Sequence, residues 1–546
     1  MQHIVYVSGM YGILVPAAQR EFAHVTPRPS LNWSGAFRRI STFLTRLMLQ
    51  HPGLQHVAML ALVATALLGS TFPFAALAGQ AQASAVATSD TKNLPGAPAS
   101  TVSPASDQPQ RVLLAANADP VTVANAVVPK DEAASIEQWA VHGQVSNISQ
   151  KHSRFNAAYS GANSLSPQGR TEETTDITLF AGVRLWKGAE FWFNPEIDQG
   201  FGFNNTVGAA GFPNGGAYKL GANVPYLRIP RAFVRQTISL GGETQTLEPV
   251  ANQLGGSRLA NNVTLTLGKF AVTDIFDTNL YAHDPRADFL NWAMVDSGPF
   301  DYAADSWGYS YGGAAEWTQN QFTLRGGVFE LSEIPNGKIT GVRFNQNSLT
   351  AELEMRHETS GHPGKFKLLA FRNHGRMGSY REAIQFGTAN GSLPSTADVR
   401  RVSSHSGIVL NLEQELSSDV GAFARFGING GDKEAYEFAD INKSVSGGLS
   451  IKGNRWGRRE DTVGFGIVVN SVSGSARDYL AAGGLGILVG DGALRYDREK
   501  IFETYYAWHP VNHLALTLDY QRIVNPAYNR DRGPVNFVAL RAHAEF

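Results

Sequence analysis

Five arginines lie in stretches where every second residue is polar. They are Arg184 in D-I-T-L-F-A-G-V-R-L-W, Arg231 and Arg235 in R-A-F-V-R-Q-T-I-S-L, Arg325 in F-T-L-R-G-G-V-F, and Arg425 in V-G-A-F-A-R-F-G-I. Carboxylates and rings fall in the same phase: Trp192, Glu196 and Asp198 in F-W-F-N-P-E-I-D, Asp519 in L-A-L-T-L-D-Y, and Phe233 between Arg231 and Arg235. Arginine offers a fork of donors that is always charged. A carboxylate opposite it accepts from hydroxyls and keeps the surroundings near neutral, and an aromatic ring offers a flat apolar face. Together they can trade hydrogen bonds with a polyhydroxylated solute weakly enough to release it, with no covalent step. A structural reading stays open for each arginine: a ladder paired with carboxylates that only holds strands together.

Other chemistries find less support. The chain has no cysteine, which excludes disulfides, thiolate catalysis and cysteine-ligated metal. His357 and His362 in H-E-T-S-G-H lack the spacing of a helical zinc motif, and Pro363-Gly364 marks a turn. Asp274, Asp277, Asp284 and Asp288 lack the loop spacing of an EF-hand. G-G-L-G-I-L-V-G (483–490) has no strand–helix unit after it and reads as a flexible strand. Spacing reveals no Ser/His/Asp constellation. The sequence therefore implies no enzyme, cofactor or metal. With 46 basic against 47 acidic residues, it offers no basic surface for nucleic acid either.

The elements that carry these residues alternate with period two, the signature of strands with two unlike faces. Ile177, Leu179, Ala181, Val183 and Leu185 oppose Asp176, Thr178, Phe180, Gly182 and Arg184. At the C-terminus Val538, Leu540, Ala542, Ala544 and Phe546 oppose Arg541, His543 and Glu545, so the chain runs as a strand to its last residue. Turn residues separate the runs: Asn214-Gly215-Gly216, Pro335-Asn336-Gly337, Asn390-Gly391-Ser392 and Asn429-Gly430-Gly431-Asp432. Charged residues make up 17% of the chain, against about 25% in ordinary soluble domains.

Upstream, V-A-M-L-A-L-V-A-T-A-L-L (57–68) has the length of a signal-peptide core, with Arg38, Arg39 and Arg46 before it and small residues after it. Cleavage is expected after Ala83 or Ala85, with an internal start at Met48 or Met59; a membrane anchor is the alternative. Residues 1–85 are read as extension plus signal and 86–138 as an Ala/Pro/Ser-rich linker with one short helix at Asp131–Trp139. Residues 139–546 are read as an all-β domain. A soluble sandwich also alternates. Export, runs of about ten residues and aromatics at strand ends (Trp186, Tyr505, Tyr506, Trp508, Tyr520) favour a transmembrane antiparallel β-barrel in lipid. Closing it requires the last strand to pair with the first.

More specific blocks follow in order: H-G-Q-V-S-N-I-S-Q from His142, F-N-A-A-Y-S-G-A-N-S-L from Phe155, L-W-K-G-A-E-F-W-F-N-P-E from Leu185, L-G-K-F-A-V-T-D-I-F-D-T-N from Leu267, Y-A-H-D-P-R from Tyr281, E-T-Y-Y from Glu503 and D-Y-Q-R-I-V-N-P from Asp519. The series resembles the carbohydrate-selective porin family of the OprB type over about residues 139–546. The resemblance implies sixteen strands, short periplasmic turns, longer outer loops partly folded inward, and passive diffusion of sugars such as glucose across the outer membrane of a Gram-negative cell. Phe546 likewise resembles the terminus read by the outer-membrane assembly machinery. Arg231, Arg235 and Glu196 fall inside the resembling stretches and rank first as channel-lining residues. A general or organic-acid channel, a barrel enzyme and a secreted polysaccharide-binding protein are the alternatives.

Overall fold

The computed structural model describes residues 136–217, 221–438 and 440–546. Alternation becomes strand throughout: β1 (Trp139–His152), β2 (Arg170–Trp186), β3 (Ala189–Gly200), β4 (Ala222–Leu247), β5 (Gly256–Phe270), β6 (Ser310–Gln319), β7 (Phe322–Glu330) and β8 (Asn347–Thr359). The series continues with β9 (His362–Met377), β10 (Arg401–Ser417), β11 (Val420–Asn429), β12 (Lys443–Lys452), β13 (Thr462–Ser471), β14 (Glu499–Val511), β15 (Leu514–Val524) and β16 (Val535–Glu545). Each strand pairs antiparallel with its sequence neighbours, and β1 pairs with β16, so the sheet closes on itself. Closure leaves no row of unpaired edge amides, the condition for crossing a bilayer with strands. The residue Phe546 completes the seam: its amide donates to the Gly143 carbonyl at 2.9 Å and its carbonyl accepts from the Gly143 amide at 3.1 Å.

Strand phase sorts the side chains as the sequence implies. Val538 and Leu540 point outward and are exposed, whereas Arg541 and His543 are buried inside. Exposed Trp139, Trp186, Trp317 and Trp508 ring the end that carries the short turns. The expected girdle loses one member: Tyr505 faces inward, packed edge-on against Phe289 at 5.0 Å.

The two ends differ. Two-residue turns at 187–188, 320–321, 360–361, 418–419 and 512–513 mark one end, whereas the connections at the other are long: 153–169, 201–221, 271–309, 331–346, 378–400, 430–442, 472–498 and 525–534. The Asn/Gly clusters noted in the sequence lie in or at the edge of these long loops, not in the tight hairpins. The stretch 483–490 is irregular loop with Leu488 and Val489 buried, not a strand. The backbone turns on itself there, with the Gly486 amide donating to the Val489 carbonyl at 2.8 Å and Gly483 and Gly490 at positive φ, so no ladder forms. Most of the expected Asp131–Trp139 helix lies outside the described residues; 136–138 are irregular and Trp139 already belongs to β1.

Loop 271–309 folds into the barrel and supplies much of its core. Phe276, Phe289, Leu290, Trp292, Met294 and Phe300 are all buried there. They meet rings that point inward from the wall, with Phe276 against Phe329, Phe289 against Phe423 and Phe300 against Phe371. This explains the aromatics on the otherwise polar strand face: they are the seat of a loop.

One hairpin also behaves unusually at the turn end. β4 and β5 run on past the end of β3, then bulge at Ser239–Gly241 and Gly241–Thr244. Gly241 (φ +135°) and Gly242 (φ +86°) adopt conformations closed to other residues. The hairpin tip re-enters the barrel mouth, where Asn194 Nδ2 donates to Asn252 Oδ1 at 2.8 Å and Arg235 Nη1 donates to the Asn252 carbonyl at 2.7 Å.

Candidate functional site

A compact cluster of charge lines the β2–β4 wall where loop 271–309 approaches it. Its key is a bulge. Asn194 pairs with Arg231 but Glu196 pairs with Arg228, so β4 holds one extra residue there, at Ile229-Pro230. Proline cannot serve a regular ladder, which suits it to a bulge. The extra residue turns both Arg228 and Arg231 inward.

Arg228 contacts both Glu196 and Asp198 as ion pairs. Glu196 also accepts from Thr178 Oγ1 at 2.6 Å. Arg286, on the loop, donates to Asp176 at 2.8 Å and lies 3.7 Å from Glu196. Arg231 grips Asp274 of the same loop with two parallel bonds, at 2.7 and 2.6 Å. Over this cluster lies the Tyr309 ring, its centroid 5.0 Å from the Arg228 guanidinium and 5.1 Å from that of Arg231. Three cations thus meet four carboxylates around one ring, with Asp284 a fifth at 4.0 Å from Arg286. Such a wall exerts little net pull on an ion while offering many donors and acceptors.

Toward the turn end the wall borders a small cleft of about 30 Å³ lined by Glu190, Arg235, Gln253, Arg258, Asn262 and Glu316, among others. The folded-back hairpin supplies Gln253. Arg235 lies 5.1 Å over Phe233 and 4.0 Å from Glu190, and Arg184 reaches the same Glu190 at 3.9 Å.

The remaining candidates sit elsewhere. Arg325 is wholly buried between Glu316, Glu352 and Glu354 at 3.0, 2.8 and 3.0 Å, so it belongs to the ladder reading and not to an open surface. Arg425 is buried as well and is spent on the loop: it donates to the carbonyls of Met294 (2.8 Å) and Ala282 (2.7 Å). Asp519 lies buried on β15 and accepts from Gln521 at 3.1 Å. Trp192 offers no open face, because it is fully buried, stacked on His142, with its Nε1 donating to Glu190 at 3.1 Å. Gly182 on β2 leaves the room its ring needs, since a Cβ there would come within 2.5 Å of it. The ring that faces the arginines is Tyr309.

Two members of the cluster escape sequence reasoning. Counting by twos from Arg231 puts Arg228 on the lipid face, and only the bulge reverses it; Pro230 is the local signal that could have flagged this. Arg286 lies in a loop, where periodicity says nothing. The aspartates 274, 277, 284 and 288 do share one loop, but each has its own partner: Arg231 for Asp274, Ser297 and Asn411 for Asp277, the Arg286 amide for Asp284, and the amides of His283 and Asp284 for Asp288.

The wall holds the loop chiefly by its backbone. Arg541 donates to the carbonyls of Pro285, Ala287 and Asp288 at 2.7, 2.9 and 2.8 Å. Lys367 reaches the Thr278 carbonyl at 2.6 Å. In the opposite sense, Glu352 accepts from the Asp277 amide, Glu413 from the Leu280 amide, and Glu503 from the amides of Leu290 and Asn291.

Residues 162–546 match the family model described as carbohydrate-selective porin, OprB family. Among solved structures, Pseudomonas putida OprB at high pH matches with 15% identity over 75% of this chain and 94% of that one, at a TM-score of 0.57. Its low-pH structure matches with 12% identity over 75% and 93%, at 0.41. The outer membrane channel DcaP of Acinetobacter baumannii matches with 12% identity over 75% and 97%, at 0.42. No curated protein sequence matches.

Proposed function

The chain belongs to the OprB family of carbohydrate-selective porins, a family of channels and not of enzymes, and from that premise we propose that it passes monosaccharides such as glucose by passive diffusion. Membership makes it a carbohydrate-selective channel of the Gram-negative outer membrane; the choice of sugar is our reading. One observation carries that reading: the near-neutral cluster of Arg228, Arg231 and Arg286 with Asp176, Glu196, Asp198 and Asp274, beside the Tyr309 ring. A pyranose presents hydroxyls around its rim and C–H groups on its faces. The arginine–carboxylate wall serves the rim through the edges it leaves exposed at Asp274, Arg228 and Arg286, and the buried Tyr309 ring backs the arginines. Arg235 and Glu190 then offer the next donor and acceptor along the wall toward the turn end.

The strength of the reading is that each guanidinium is already paired. A hydroxyl exchanges for part of an existing bond instead of meeting a bare charge, so binding stays shallow and release stays fast. A channel for organic acids would be served better by cations lacking such partners.

Two further partners belong to the same reading: lipid around the outward apolar band, and the assembly machinery at Phe546. The test is liposome swelling with the full protein. Monosaccharides should enter faster than non-sugar solutes of equal size, and glucose should block ion current in planar bilayers with a measurable half-saturation. Equal rates for sugars and matched solutes would refute sugar preference and leave a general pore.

A further inference from the structure

Near the loop end, the outward positions of β12, β14, β15 and β1 carry Lys443, Lys500, Arg522 and Lys151, all exposed. Register gathers them into one band. Lys500 pairs with Val524, which makes Arg522 its diagonal neighbour at about 7–8 Å between strands. Arg522 in turn faces Asn536, and Lys151 faces Val538 two residues further along the same strand. Lys443 joins across β13, where Ser471 is its partner and Val469 is that of Lys500.

The outward residues between these cations are Ser471, Val469, Phe502, Val524, Asn536, Val538 and Ser149, with no carboxylate among them. On the next strand the outward Glu173 is engaged by Asn147 Nδ2 at 2.8 Å. None of the four cations is ion-paired among the described residues. Arg522 is nevertheless held in place, with its Nη1 donating at 3.0 Å to the Asn536 Oδ1 that also accepts from the Tyr520 hydroxyl at 3.0 Å.

Toward the turn end β14, β15 and β16 continue this face with exposed Phe502, Leu518, Val538 and Leu540. A cationic band set directly above an apolar one matches a ligand with anionic head and acyl chains. Basic side chains at a membrane surface attract such headgroups, and their aliphatic stems lie on the apolar wall while the charge reaches the polar layer. A free anion would use only the upper half of this surface.

We propose that the Lys443–Lys500–Arg522–Lys151 band binds the phosphate groups of a phosphorylated glycolipid in the outer leaflet, its acyl chains lying on the apolar wall below. The proposal rests on the family reading that the long loops face outward; it is independent of which sugar the channel passes.

The test titrates the full protein in detergent with lipid A carrying both phosphates, and separately with its dephosphorylated form. The K151Q/K443Q/K500Q/R522Q variant should bind phosphorylated lipid A at least about tenfold more weakly than the wild type. A control variant neutralising exposed cations at the turn end, K187Q/R455Q/R459Q, should bind it like the wild type. Dephosphorylated lipid should bind the wild type no better than phosphorylated lipid binds the four-site variant. A heat-dependent gel shift and liposome sugar flux, both unchanged, certify that the variants are folded. Equal affinity of the four-site variant and the wild type overturns the proposal. So does equal affinity for the two lipids, or an equal loss in the control. Loss of sugar preference in the wild type would sink the sugar reading and leave this one standing.

Discussion

Replacing Arg425 by alanine should loosen loop 271–309 without removing any side chain of the proposed solute cluster. The guanidinium makes two short bonds to loop carbonyls, at 2.8 Å to Met294 and 2.7 Å to Ala282, and its Nε lies 3.5 Å from Asp277. Bonds from a charged donor contribute about 1.5–3 kcal/mol each, so the gross loss is about 3–6 kcal/mol. Removing a buried charge also removes its desolvation cost, which offsets part of that. Against this, the two carbonyls are left without a donor and Asp277 without its cation. A net loss of about 3 kcal/mol is a fair working figure, and at about 1.4 kcal/mol per tenfold it multiplies the loosened population by roughly 150. Arg541, Lys367, Glu352, Glu413 and Glu503 still hold the loop, so the seated state remains dominant. Single-channel recording is the assay: brief excursions to higher conductance should appear in R425A at frequencies far above the wild type, with R425K in between. Wild-type current noise in R425A would refute the strut argument. A quiet baseline with a shifted sugar half-saturation would instead mean that Arg425 itself meets the solute.

Arg325 makes the opposite case, because its ion pairs run to three carboxylates of the wall, Glu316, Glu352 and Glu354. R325A should lower the unfolding midpoint, with a loss of about 3–5 kcal/mol, while sugar half-saturation stays fixed; urea titration of the reconstituted barrel measures the first and bilayer titration the second. The double variant R228A/R231A should change both conductance and sugar half-saturation, and unchanged values in bilayers would remove these residues from the path. Shortening the hairpin tip by replacing residues 250–253 with Gly-Ser should raise conductance by opening the turn-end mouth; an identical current would mean that the path avoids the tip. Deleting Phe546 should reduce heat-shifted, inserted protein in membrane fractions more than it alters the sugar preference of whatever inserts.

Strand phase was legible because a barrel wall has only two sides, and a period of two sorts residues between them without knowledge of partners. Val538, Leu540, Arg541 and His543 all lie where counting puts them. Counting fails where the backbone adds a residue, as at Ile229-Pro230, and there it loses Arg228. It also cannot show which distant partners an inward arginine meets: Arg231 and Arg425 read alike, yet Arg231 pairs with Asp274, whereas the carbonyls that occupy Arg425 belong to residues more than a hundred positions away. Trp192 fails for a related reason. An inward ring can face the channel or pack beneath it, and only the neighbours decide.

The way the wall grips loop 271–309 has an evolutionary side. Arginine and lysine hold its carbonyls, and glutamates hold several of its amides. Peptide groups are common to every amino acid, so this socket accepts a given chain path largely regardless of its side chains. Under the proposed function, exchanging Asp274 or Arg286 would redraw what the passage admits and release only their own ties to Arg231 and Asp176, while the backbone seating persists. On that reading, selectivity can be rewritten in the side chains of the segment without erasing the backbone contacts that attach it.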